Sequence, residues 1–184
     1  MKNNRIKLFI LALVLSLIVC VPGMAKTIRS NDGRISFTTS DYWSAVSYGD
    51  DAVYTELLSI KLNKDTGIMV KKEKTKLGFR SYRDCSYGIK SALLEGISKV
   101  RCQQLKSQGY DSKVFKMNVL ENALTFVIHS FRGGEKYIIF ETEVAKDNFN
   151  YSIMMLASDI NAYEASAVLS TLTIDGMPFS KWAE

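Results

Sequence analysis

The chain has a single histidine, His129, in the apolar run Ala123–Phe131 beside Ser130. A serine next to a histidine offers a nucleophile and a base, but successive residues of a strand point to opposite faces. The pair therefore cannot act together, and no Gly-x-Ser-x-Gly elbow presents another serine. His129 is expected to be hydrogen-bonded within the fold. Cys85 and Cys102 have neither Cys-x-x-Cys spacing nor a positioned histidine, so partly buried structural thiols are expected. One histidine and two distant cysteines do not supply a zinc cluster. Gly49-Asp50-Asp51 and Asp147-Asn148-Phe149-Asn150 are oxygen-rich, yet they have turn composition without EF-hand spacing. No phosphate-cradling glycine loop is present. The sequence thus predicts no catalytic residue, no metal, no cofactor and no nucleotide.

Charge is the remaining chemical signal. Between Lys61 and Arg83 stand eight basic residues against Asp65 and Glu73, whereas Glu141 to Glu184 holds seven acids against Lys146 and Lys181. The candidate binding residues are Lys71, Lys72, Lys74, Lys76, Arg80 and Arg83, a basic hairpin suited to an acidic protein or an anionic envelope component. Tyr42, Trp43, Tyr48 and Tyr54 form an aromatic-rich start, expected to pack at the margin of the core.

The elements that carry these residues follow from periodicity. Gly33–Thr38 reads as a strand, with Ile35 and Phe37 alternating. Val53–Leu62 and Ile68–Lys76 read as a hairpin around Asn63-Lys64-Asp65-Thr66-Gly67, the lysine-rich half of the second strand suggesting an exposed or edge strand kept soluble by charge. A long helix is predicted from an Asp84 N-cap to about Gln108, with Ile89, Leu93, Ile97 and Val100 on one face and Gly109 after its end. That helix would hold Cys85 and Cys102 about 25 Å apart, where a disulfide needs Cα atoms within about 7 Å; no bridge is predicted. Lys113–Leu120, Ala123–Phe131, Lys136–Val144 and Tyr151–Ser158 read as neighbouring antiparallel strands, with Arg132-Gly133-Gly134-Glu135 as a hairpin turn. A last helix spans about Asp159 to Leu172, with Ala165, Val168 and Leu172 inward. Strand runs separated by helices predict an α+β domain: an antiparallel β-sheet flanked by helices.

Ile35-Ser36-Phe37, Trp43, the mid-chain helix, the meander and Ala167-Val168-Leu169-Ser170-Thr171-Leu172 together resemble the PsbP-like superfamily, which includes the photosystem II extrinsic protein and DcrB-like envelope proteins. The resemblance covers most of Arg34–Ile174. It implies an αβα sandwich and an accessory or binding role without catalysis; no binding residue is carried over.

The first 25 residues have the layout of a cleavable signal peptide. Lys2, Arg5 and Lys7 precede an apolar stretch, Leu8–Val21, whose 14 residues fall short of the roughly 20 that span a bilayer. Pro22-Gly23 breaks it, and Gly23 and Ala25 place small side chains for cleavage before Lys26. Lipidation at Cys20 is the minority reading, because Val19 stands where a small residue is required. Removing 25 of the 184 residues leaves 159, one domain over residues 26–184. The 24 basic residues fall to 21 against 19 acids, so the net charge drops from +5 to +2 and gives no case for nucleic acid. The expectation is an exported protein, periplasmic or extracellular, that binds an acidic partner. The rival is a small-ligand carrier or enzyme with a pocket between sheet and helix around His129.

Overall fold

The computed structural model describes residues 25–46, 56–74, 81–146 and 148–183. Lys26–Arg29 (β1), Ile35–Thr39 (β2) and Ser44–Val46 (β3) are followed by the hairpin Glu56–Asn63 (β4) and Thr66–Lys74 (β5). A 3₁₀ turn, Tyr82–Asp84, leads into the long helix Tyr87–Ser107 (α1). The meander comprises Asp111–Val119 (β6), Ala123–Arg132 (β7), Glu135–Lys146 (β8) and Phe149–Ser158 (β9). Helix Ala162–Ser170 (α2), the short strands Thr173–Ile174 (β10) and Met177–Pro178 (β11), and helix Phe179–Ala183 (α3) close the described chain.

Seven strands form one antiparallel sheet in the order β3-β4-β5-β9-β8-β7-β6, and a smaller sheet runs β1-β2-β10-β11. Alternation divides the large sheet into two apolar faces. Leu124, Phe126, Ile128 and Ile139 point to one side and pack with Leu94 and Leu105 of α1. Ile68, Val70, Ile153, Met155 and Val144 point to the other, with Phe37, Ile35 and Trp43 from the small-sheet region and Ala165 and Val168 of α2. The result is the expected α+β sandwich. Trp43 is fully buried, its indole N–H donating to Glu164 Oε1 at 3.0 Å, while Tyr42 is exposed. Tyr48 and Tyr54 lie outside the described residues.

Two local features set the sheet's geometry. In the β7–β8 turn, Gly133 and Gly134 have φ of 59° and 84°, the double positive φ of a tight two-residue hairpin. In the β4–β5 hairpin the register shifts between Lys61 and Asn63, and a Cβ at Gly67 would sit 2.9 Å from the Ile60 carbonyl oxygen.

Three expectations change. The lysine-rich strand β5 is internal, paired with β4 on one side and β9 on the other. Helix α1 starts at Tyr87, capped by the Ser86 hydroxyl accepting from the Ile89 amide; Asp84 belongs to the preceding turn. Its buried row is Leu94, Ser98 and Leu105, whereas Ile89 and Val100 are exposed. Leu93 and Ile97 of the predicted face are partly buried against the same cluster, and Ser98 enters the core with its hydroxyl returned to the Glu95 carbonyl at 3.0 Å. Strands β1, β3, β10 and β11 and helix α3 are too short for a periodicity to reveal.

Asn122 ties the segment before α1 to the C-terminal helix. Its side-chain oxygen accepts from the Ser81 hydroxyl at 2.6 Å and the Tyr82 amide at 3.2 Å, and its amide donates to the Trp182 carbonyl at 3.0 Å. Among the described residues no helix is long and apolar enough to cross a membrane.

Candidate functional site

Among the described members of the predicted binding set, Lys71 and Lys72 do not share a face. Lys71 and Lys72 are consecutive on β5, so they leave opposite sides of the sheet. Lys72 is buried at 5% exposure, its ammonium 4.4 Å from the centre of the Phe149 ring, a cation–π contact. Lys71 is half-buried on the α1 side, and Lys74 is exposed at the strand end. Arg83 lies on the turn before α1, 3.5 Å from Glu121. Lys76 and Arg80 lie outside the described residues. Lys71 and Lys72, at the centre of the expected basic surface, are thus on opposite faces of the sheet.

His129 also stands elsewhere than the rival reading requires. Its neighbours Ile128 and Ser130 face α1, the Ser130 hydroxyl 2.6 Å from that of Ser112. His129 points to the other face, where its ring stacks on Phe115 with centroids 4.2 Å apart and planes within 12°. No pocket between sheet and α1 can be built around it. Among the described residues its side chain's partner is the Phe115 ring.

Cys85 and Cys102 are free thiols, and α1 carries Cys102 about 22 Å beyond Tyr87. Burial pushes the Cys102 thiol up, away from the reactive thiolate. Gly49-Asp50-Asp51 and Asp147 fall outside the described residues, among which no group of three His, Cys, Asp or Glu gathers to hold a metal.

The most perturbed chemistry lies where the sequence reading did not look. Glu141 and Glu143 are two apart on β8, so both enter the α1-side interior, at 1% and 6% exposure. Glu141 is held by Arg101 of α1 in a two-pronged ion pair, Nε to Oε2 at 2.6 Å and the terminal nitrogen to Oε1 at 2.8 Å. Among the described residues no cation pairs with Glu143 in this way. Ser152 and the Asn150 side-chain amide hydrogen-bond to it, and the Tyr82 hydroxyl donates to Asn150 Oδ1 at 3.4 Å. Burial pushes the Glu143 carboxyl up to about 7, the nearby carboxylates Glu141 and Glu73 push the same way, and the two hydrogen bonds pull against them. Burial, with Glu143 and Cys85 adding, also holds the Tyr82 hydroxyl well above the usual phenol range. This arrangement can hold or release one proton near neutrality. Glu141-Thr142-Glu143 places two carboxylates on one face of a strand, but only the strand order shows that this face is covered.

No protein-family model and no curated protein matches the chain. Solved structures do. The cyanobacterial PsbP (CyanoP) of Synechocystis sp. PCC 6803 superposes with a TM-score of 0.55 over 85% of this chain and 95% of its own, at 6% identity. The fold is PsbP-like. A Bacteroides thetaiotaomicron VPI-5482 protein gives a TM-score of 0.45 at 13% identity, over 82% of this chain and 48% of its own. A Pseudomonas aeruginosa protein titled a putative regulator gives 0.34 at 8% identity, over 79% and 91%. At these identities the likeness to the PsbP-like fold concerns architecture, and no site residue transfers with it.

Proposed function

We propose that the chain is an exported accessory or binding protein of the PsbP-like group, without catalytic activity, that engages an acidic partner or an anionic envelope surface. The observation that carries this reading is the PsbP-like architecture over 85% of the chain, because the superfamily that the sequence resembles serves mostly in accessory and binding roles. The layout of the N-terminus supports export, since β1 begins at Lys26, directly after the expected cut, so cleavage there would leave the fold whole.

The test has two parts. Mass spectrometry of the protein from its own cells should give a chain starting at Lys26; a retained Met1 or a lipid-modified Cys20 would overturn cleavage at Ala25. The protein should also cosediment with envelope material at low salt and be released at high salt, as exposed charge contacts require. Failure to bind any anionic envelope component would refute the binding reading.

A further inference from the structure

The described elements leave part of the large sheet bare. On the face opposite α1, helix α2 and the small sheet pack over β9 and β5. The β6–β7 portion of that face is open. It presents Phe115, 66% exposed and stacked on His129, and Phe131, 49% exposed at the strand end. On β7, half-buried His129 lies between them, and half-buried Val127 flanks Phe115 on its other side.

The edge strand β6 frames these rings with lysines. A register shift between Val114 and Lys116 marks a bulge, which brings Phe115 and Lys116 to the same face, Lys116 opposite Val127 and Lys113 opposite His129. Both lysines are exposed, and neither forms an ion pair among the described residues. Asp111, at the start of the strand, is the one acid on β6.

We propose that this open face of β6 and β7 is a docking surface for an anionic lipid bilayer, with Phe115 and Phe131 entering the interface and Lys113 and Lys116 contacting the head groups. The inference rests on the binding reading above and names its partner. Charge complementarity points to an anionic surface, and the residue types point to lipid over protein. Lysine is a point charge suited to a diffuse field of head groups, whereas the arginine fork suits a fixed carboxylate on a protein. Phenylalanine offers apolar area without a polar handle. Strand addition by an extended peptide is opposed by the bulge, which interrupts the ladder at the middle of the edge.

The experiment is flotation of the mature protein with phosphatidylglycerol–phosphatidylethanolamine vesicles, with pure phosphatidylcholine vesicles, and with polyglutamate beads as an acidic polypeptide. Wild type should float with the anionic vesicles at low salt and not with phosphatidylcholine. Lys113→Gln with Lys116→Gln should weaken partition on the order of thirtyfold. Phe115→Ser with Phe131→Ser should weaken it roughly tenfold or more at constant charge. All four side chains are solvent-exposed, and an unchanged thermal midpoint and circular dichroism spectrum should accompany both variants. Equal flotation of wild type and variants would overturn the assigned face while leaving the binding reading intact. Capture by polyglutamate without flotation would overturn lipid as the partner and leave the acidic-partner reading standing. Binding to neither vesicles nor beads would sink the inference, and loss of envelope cosedimentation as well would sink both.

Discussion

Substituting Glu143 by Gln should make the protein more stable at pH 8 and leave it nearly unchanged at pH 4.5. The carboxyl titrates at about 7 in the folded chain against a reference of 4.5, and each pKa unit is worth about 1.4 kcal/mol. Because the folded pKa is raised, the unfolded chain gives up its proton first, between pH 4.5 and 7. In that window the folded state binds more protons, so stability falls as pH rises. The contribution is fully present below about pH 4.5 and is lost through pH 7, a change on the order of 3 kcal/mol. Glutamine keeps an oxygen to accept from the Asn150 amide and the Ser152 hydroxyl, but it has no charge to bury beside Glu141 and Glu73.

Urea unfolding of wild type and Glu143→Gln at several pH values between 4.5 and 8.5 measures this directly. Other groups titrate in both proteins, so the difference between the two curves isolates Glu143. It should open across pH 5–7 and level off above, reaching about 1 M in midpoint at pH 8 for an ordinary urea slope. Parallel curves would show that Glu143 is not buried as a carboxylate. A variant less stable than wild type at pH 8 would show that the charged form is held by a partner stronger than Asn150 and Ser152.

Arg101→Ala should cost about 3 kcal/mol in urea unfolding at pH 7, because it strands Glu141 without its counter-ion; adding Glu141→Leu should restore most of that loss. Lys72→Glu should destabilise by about 2 kcal/mol or more, since an acid would replace an ammonium buried over the Phe149 ring, while Lys74→Glu at the exposed strand end should change stability by about 0.5 kcal/mol or less. Equal effects of the two lysine variants in thermal unfolding would contradict the internal position of β5.

The long elements were legible because their signals are local. Gly133-Gly134 announced the β7–β8 turn through a requirement for positive φ, and Gly109, at φ 86°, marks the end of α1 as expected. Ala165, Val168 and Leu172 are all buried as their spacing predicted. The short strands were not legible, since two to four residues carry no period. The buried row of α1 was a different problem. Ile89, Leu93, Ile97 and Val100 form the more apolar row, yet Ser98 sits in the buried row, and a hydroxyl that bonds its own helix enters a core at little cost. Glu143 was passed over because a carboxylate in a strand reads as solvent-facing until the strand order shows what covers it.

That strand order also decides which charges are available to a partner. A lysine run in a strand implies an exposed edge only if nothing pairs on its far side. β9 pairs along the whole of β5, from Gly67 to Lys74, so the run falls inside the sheet and Lys72 is buried. The edge opposite β3 belongs to β6, a strand with two lysines and little in its sequence to single it out. An internal strand exposes alternate side chains only where the layers above it end, whereas an edge strand exposes both its backbone rim and any face its neighbours leave bare. Lys113 and Lys116 satisfy the second condition and lie beside Phe115, so charge and apolar area coincide there.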